Sequence, residues 1–170
     1  KAWVGGLAGS LNFRLDQVLM GLITTEAALG VYALAVNASE ILLYVPAIVG
    51  MLLIPRIAQT APEHRHAEVT RVFRISLLVT GVAAAVAAAA GPFAIPLVFG
   101  DEFRPSVVPF LALLPGAAGF TAMRVFSSAL VGSSRPGRSS VGPVVALLVG
   151  VGLDLALIPS FGATGAAWAA

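Results

Sequence analysis

The chain has 170 residues, of which 58% are hydrophobic and only 11% are charged. A soluble domain carries about twice that charged fraction, so the shortage of polar residues excludes a water-soluble globular fold. The net charge of +2 comes from arginines scattered between apolar runs, which excludes a nucleic-acid-binding protein, and the absence of cysteine excludes disulfides and thiolate metal sites.

Five apolar segments follow one another along the chain, each long enough to cross a bilayer as a helix. They cover residues 3–23, 31–54, 75–99, 107–131 and 141–158. Because lipid tolerates only helices and closed barrels, and no period-2 alternation is present, the sequence predicts an all-α membrane protein. We expect a bundle of five transmembrane helices forming one domain over residues 1–170. Since the chain starts at Lys1 and stops inside an apolar run, we also expect a fragment of a longer polypeptide.

The connections between these segments differ in charge. Alternate connections hold seven basic residues on one side and one on the other, namely Lys1, Arg56, Arg65, Arg71, Arg74, Arg135 and Arg138 against Arg104. The basic side is expected to be cytoplasmic, which places the multi-pass chain in the cell inner membrane. The outer connections are expected at residues 24–30, 100–106 and 159–165.

The basic connection between the second and third segments contains an amphipathic pattern. Over residues 62–74, Val69, Val72 and Phe73 recur at helical spacing opposite charged residues. This pattern predicts a helix lying at the inner membrane surface, and the alternative is a solvated loop that leads into the third span.

Five ionisable residues fall inside the predicted spans, namely Arg14, Asp16, Glu40, Arg124 and Asp154. A charged side chain near the bilayer centre costs roughly 2.5 to 3.5 kcal/mol on insertion scales. Such groups therefore face a protein interior or a wet cavity, and each of them is a candidate functional residue.

Helical spacing groups some of these residues into polar stripes. Arg14 and Gln17 share a stripe on the first span, Glu40 lies on a stripe of the second, and Arg124 and Ser128 share a stripe on the fourth. Three stripes on three spans favour one hydrated pathway. The alternative is that the charges pair to lock helices together, as Arg14 and Glu40 would at equal depth.

Two aspartates lie away from these stripes. Asp16 is on another face of the first span. Asp154 is about one and a half turns from the outer end of its predicted span, so its side chain is expected to reach the membrane interface.

Four phrases carry a resemblance to a known family. They are LNFRLDQVLMG with the following GVYALAVNASEILLYVPAIVGMLLIPRIA, LLPG at residues 113–116, ALVGSSRPGRSS, and LDLALIPSFGATGAAWAA. With these phrases the chain resembles the polysaccharide or oligosaccharide flippase branch of the multidrug/oligosaccharidyl-lipid/polysaccharide (MOP) exporter superfamily, which also contains MATE drug exporters and the lipid II flippase.

The resemblance implies a two-lobed alternating-access carrier of about 12–14 spans, of which this chain is most of the C-terminal lobe. Such a carrier moves an undecaprenyl-diphosphate-linked glycan to the outer leaflet for lipopolysaccharide or exopolysaccharide export. Its partners would be membrane lipid, that substrate and the missing N-terminal lobe, with no nucleic acid. It would not be an enzyme and would need no cofactor, although Na+ or H+ coupling is expected.

The same resemblance suggests roles for the charged residues. A diphosphate needs cationic partners in a wet cleft, so Arg14 and Arg124, with Gln17 and Ser128, are the candidate substrate-binding residues. Asp16 and Glu40 are candidates for ion coupling or for helix pairing. No catalytic or metal-ligating residue is expected.

Three alternative functions remain open at the level of sequence. A MATE-type antiporter of drugs or other cations would favour an acidic cavity. A membrane-embedded enzyme of envelope-lipid synthesis would gather several acidic or histidine residues at the interface, where Asp101 and Glu102 form the only acidic pair. A non-transporting scaffold would have little use for charges at mid-bilayer depth.

Overall fold

The structure is a computed structural model that describes residues 15–133 and 141–169, and every regular element in these ranges is helical. The α-helices are α1 (residues 15–23), α2 (Glu26–Glu40), α3 (Tyr44–Gln59), α4 (Arg65–Phe99), α5 (Val107–Leu113), α6 (Gly116–Gly132) and α7 (Val141–Ala169). Short 3-10 turns at Ile41–Leu43 and Asp101–Ser106 precede α3 and α5. The prediction of an all-α membrane protein is confirmed.

Three continuous helical segments in the described ranges, which we call rods, are long and apolar enough to cross a membrane. The number is four if a bent pair of helices counts as one span. The rods are Glu26–Gln59, which joins α2 to α3, then α4 and α7. The bent pair joins Asp101–Leu113 to α6 at an angle of 45°. These rods and the bent pair contain the second to fifth predicted segments. Of the first predicted segment, only residues 15–23 are described, and they are helical.

Proline and glycine explain where the helices break. Pro115 stands at the start of α6, where its missing N–H costs no hydrogen bond and its ring prevents α5 from continuing. Gly162 interrupts α7 with φ 54° and ψ −132°, values that favour glycine. This break lies within the outer connection predicted at residues 159–165. The chain folds back there, so that Gly165 packs against the Leu157 carbonyl, and the connection is shorter than predicted because helix continues on both sides of Gly162.

The first outer connection is shorter than predicted. Helix α2 begins at Glu26, within the predicted loop at residues 24–30. The Thr25 side chain caps the helix by accepting a hydrogen bond from the Ala28 N–H at 3.3 Å.

Helix α4 begins at Arg65, inside the segment predicted to lie on the inner membrane surface, and continues to Phe99. The apolar side chains of Val69, Val72 and Phe73 pack against Leu53, Ile57 and Val125, which we call the α3–α4–α6 cluster. Phe73 also contacts Phe126, with ring centroids 5.2 Å apart. The alternative of a solvated loop is wrong. The predicted helix is present from Arg65 onward, and its apolar face packs against helices α3 and α6 and not against lipid.

A second core lies between α1, α2 and α7. It consists of Met20, Tyr32, Val36, Ile158, Ala166 and Ala167, which we call the α1–α2–α7 cluster. Large side chains on the outside, such as Leu22, Phe93 and Leu97, are mostly exposed, as expected of a surface that faces lipid.

Candidate functional site

A cavity of about 530 Å³ lies between α2, α6 and α7, with α1 contributing to its wall. Most of the wall is apolar, including Phe120 and Met123 of α6 and Pro143 of α7. Its charged lining residues are Asp16 and Glu40. A cavity of this size with a few polar groups on an apolar wall has the character of a ligand site.

Asp16 lines the cavity and also contacts a buried residue of α2. The Tyr32 hydroxyl on α2 donates a hydrogen bond to Asp16 Oδ2. The backbone N–H of Gln17 donates to Asp16 Oδ1 at 2.7 Å. Both side chains are buried, since Asp16 is 5% exposed and Tyr32 is fully enclosed. The phenol therefore fixes the carboxylate in one orientation between α1 and α2.

Asp154 of α7 faces the same interior. Its side chain is 4% exposed, and it interacts electrostatically with Asp16 and with Tyr32. Its Oδ1 atom accepts no hydrogen bond in the described part of the chain. The expectation that Asp154 reaches the membrane interface is wrong.

The arrangement brings two carboxylates and one phenol together from α1, α2 and α7. We call Asp16, Tyr32 and Asp154 the acidic cluster. Two carboxylates in a desolvated site repel each other, so a bound cation or proton would stabilise the cluster. Within residues 15–133 and 141–169, no three His, Cys, Asp or Glu side chains are grouped to hold a metal ion. A cation here would therefore also need oxygens from the phenol or from the backbone.

Glu40 lies on the cavity wall at the last residue of α2, where the helix changes to a 3-10 turn. Its side chain is half-buried. The partner that the sequence predicts, Arg14, lies outside the described residues, so the pairing of Arg14 with Glu40 stays a prediction.

The remaining substrate-binding candidates occupy different positions. Arg124 is exposed and does not line the cavity, but its guanidinium carbon lies 5.6 Å from the ring centroid of Phe120, which does. Ser128 packs against α3, because a Cβ at Gly50 would lie 2.9 Å from its hydroxyl oxygen. Gln17 is half-buried beside Asp16. The cavity therefore brings Asp16 and Glu40 together, and leaves Arg124 and Ser128 outside its wall.

Sequence reasoning missed Tyr32 and misplaced Asp154, for different reasons. Tyr32 precedes Val36 and Glu40 at intervals of four residues, so it shares a face of α2 with a cavity residue, and this spacing could have revealed it. Asp154 was placed near a helix end at residue 158, whereas the helix continues to the break at Gly162 and packs against α1 and α2.

Long apolar helices around an acid-lined cavity define a polytopic membrane protein with a polar site inside its helical bundle. A family model described as polysaccharide biosynthesis protein matches residues 1–108. The chain belongs to this family, which confirms its resemblance to the polysaccharide flippase branch. Comparisons with curated proteins and with solved structures give no match. The protein is a membrane protein of polysaccharide biosynthesis, and Asp16, Tyr32 and Glu40 lie within the matched region.

Proposed function

We propose that this chain is part of a carrier that moves a lipid-linked glycan across the cytoplasmic membrane by alternating access, driven by a cation gradient. The substrate would be an undecaprenyl-diphosphate-linked saccharide, and the second lobe would come from the rest of the same chain. The observation that carries the proposal is the acidic cluster beside a cavity, in a member of a polysaccharide biosynthesis family.

The acidic cluster supports cation coupling through its chemistry. Carboxylate and phenol oxygens are hard ligands suited to Na+, and buried carboxylates also serve as proton carriers in membranes. Asp154 Oδ1 is buried without a hydrogen bond among the described residues, so a cation would satisfy an atom that otherwise stays unpaired. Whether the coupling ion is Na+ or a proton, Asp16 and Asp154 are the residues that would bind it.

Coupling to transport follows from the positions of these residues. A cation held by Asp16 and Asp154 draws α1 and α7 together, and both helices contribute to the wall of the cavity. The breaks at Pro115 and Gly162 divide the neighbouring helices into short segments, a feature common around transporter binding sites. Cation occupancy would therefore change the shape of the cavity that receives substrate.

Arg124 fits a role at the margin of that cavity. Its guanidinium stacks on Phe120, which leaves the hydrogen-bonding edge of the fork available to phosphate oxygens. We propose that Arg124 contacts the diphosphate outside the cavity wall, together with Arg14. Gln17 and Ser128 would act only if the helices around them separate during transport.

The proposal is tested in liposomes that contain the full-length protein and a fluorescent lipid-linked glycan. We expect Asp154→Asn to slow translocation by about tenfold or more, the size of a typical coupling between two sites, at equal protein abundance. The matched control is Asp101→Asn, which changes an exposed aspartate outside the cavity. Normal translocation by Asp154→Asn under a cation gradient would contradict the coupling role.

A second candidate function is favoured by the charge of the cavity. Among the described residues, the charged residues that line the cavity are both acidic, which suits an organic cation such as those carried by MATE-type exporters. The same liposomes loaded with a cationic dye separate the two candidates. Efflux of the dye without movement of the glycan would support the exporter and contradict the flippase.

A further inference from the structure

Two arginines on α4 occupy an exposed face of the helix. Arg71 and Arg74 are one helical turn apart, and both side chains are exposed. They point away from the face that carries Val69, Val72 and Phe73, which packs against the α3–α4–α6 cluster. The pair is therefore presented outward by a helix whose other side is anchored.

Neighbouring charged residues at this end of α4 make contacts that do not involve Arg71 or Arg74. Glu68 is held by Arg56, with Nε and Oε1 3.0 Å apart. Arg65 Nε donates to the carbonyl oxygen of Thr60 at 2.9 Å. The acidic side chain one turn before Arg71 is thus already paired.

The same face of α4 continues as an apolar stripe. Leu78, Val82 and Val86 follow at intervals of four residues and are 70%, 64% and 63% exposed. Arg74 lies four residues before Leu78, which is about 6 Å along the helix axis. An exposed apolar stripe in a membrane protein faces acyl chains, so the arginines lie at the depth of the lipid headgroups.

We propose that Arg71 and Arg74 bind the phosphate of an anionic phospholipid whose acyl chain lies along Leu78 and Val82. Two guanidinium forks on one turn match the oxygens of a phosphodiester, and basic residues at this depth attract anionic lipids. A zwitterionic lipid offers the same phosphate, but its quaternary ammonium is repelled by the arginines. The site is separate from the acidic cluster and does not depend on the proposed transport function.

The test is a lipid titration of the purified full-length protein in detergent, followed by native mass spectrometry. The probes are phosphatidylglycerol and phosphatidylcholine with identical acyl chains. We expect each arginine to contribute about fivefold in affinity, so Arg71→Gln with Arg74→Gln should weaken phosphatidylglycerol binding by about 25-fold. Binding of phosphatidylcholine should be unchanged.

Two further variants keep the result specific. Arg104→Gln removes one exposed positive charge from the other end of α4, beyond Phe99, and should leave phosphatidylglycerol binding intact. Arg71→Lys with Arg74→Lys keeps the charge but loses the forks, and should bind with intermediate affinity. Equal binding by the wild-type protein and the double glutamine variant would overturn the proposal, as would an equal loss in Arg104→Gln.

Discussion

Two of the buried regions of this bundle are stabilised in different ways. The α3–α4–α6 cluster is apolar, and its helices approach so closely that a Cβ on Gly132 would lie 2.7 Å from the backbone oxygen of Ile54. The α1–α2–α7 cluster instead surrounds Asp16, Tyr32 and Asp154, and the buried Oδ1 atom of Asp154 has no hydrogen bond among the described residues.

Because of this difference, we expect the α3–α4–α6 cluster to act as a rigid scaffold and the α1–α2–α7 region to move. Close apolar packing has one geometry of lowest energy, so the α3–α4–α6 cluster should keep its shape throughout a transport cycle. A partly satisfied polar site can change its contacts when a cation arrives or leaves. The α1–α2–α7 region is therefore where binding energy can be converted into movement.

The largest expected effect comes from breaking the scaffold at Gly132. A methyl group there would also lie 2.9 Å from the Cβ of Ile57, so the Gly132→Ala variant must push α3 and α6 apart. We expect a loss of about 3 kcal/mol, at the upper end for overpacking, measured by denaturant unfolding of the purified protein in mixed micelles.

Gly81 provides the control for this experiment. It is also helical, but a Cβ built on it meets no atom within 4 Å in the part of the chain that the structure describes. Gly81→Ala should be neutral or stabilise by up to about 1 kcal/mol through higher helix propensity. Equal destabilisation by both alanine variants would mean that α3 and α6 are not in close contact.

A smaller effect is expected from Tyr32→Phe, which tests the polar region. The change removes the hydroxyl that donates to Asp16 but keeps the aromatic ring in the core. A hydrogen bond to a charged group contributes about 1.5 to 3 kcal/mol, and we expect about 2 kcal/mol of lost stability in the same unfolding assay. Tyr44→Phe is the matched control, because Tyr44 is 66% exposed. Equal unfolding curves for Tyr32→Phe and the wild-type protein would show that the phenol does not support Asp16.

The contrast between the two regions was only partly predictable from the sequence. Apolar runs of about 20 residues leave no alternative to helix in lipid, so the all-α membrane fold followed from composition and spacing alone. The apolar face of residues 62–74 was also visible, but its partner was assigned to lipid. Periodicity identifies the buried face of a helix and does not identify what covers it.

The candidate site was predicted in part for a related reason. Asp16 and Glu40 were recognisable, because charges inside apolar runs carry a high cost. Asp154 was misplaced because its helix extends past Pro159 to the break at Gly162, and because the packing of α7 against α1 and α2 cannot be read from the sequence of α7 alone. A proline can remain inside a helix in a membrane bundle when neighbouring groups satisfy the freed carbonyl.

The acidic cluster should also respond to cations. If the cluster binds Na+, the wild-type protein gains about 1.4 kcal/mol of stability when free Na+ is tenfold above the dissociation constant. Asp154→Asn should lose this gain, whereas Asp101→Asn should keep it. The measurement compares unfolding in sodium chloride and choline chloride at equal ionic strength. A sodium response that persists in Asp154→Asn would place the cation elsewhere in the protein.

The smallest expected effect concerns the ion pair of Arg56 with Glu68, at the edge of the α3–α4–α6 scaffold. The Arg56 side chain is 67% exposed and that of Glu68 is 20% exposed, so water and salt screen their attraction. A double-mutant cycle with Arg56→Gln and Glu68→Gln should give a coupling of about 0.2 to 1 kcal/mol, falling further in 1 M salt. A coupling well above this range would show that the pair, and not the apolar packing of Val72 and Phe73, holds the start of α4 against α3. A coupling within the range would leave apolar contacts as the main source of rigidity in the scaffold.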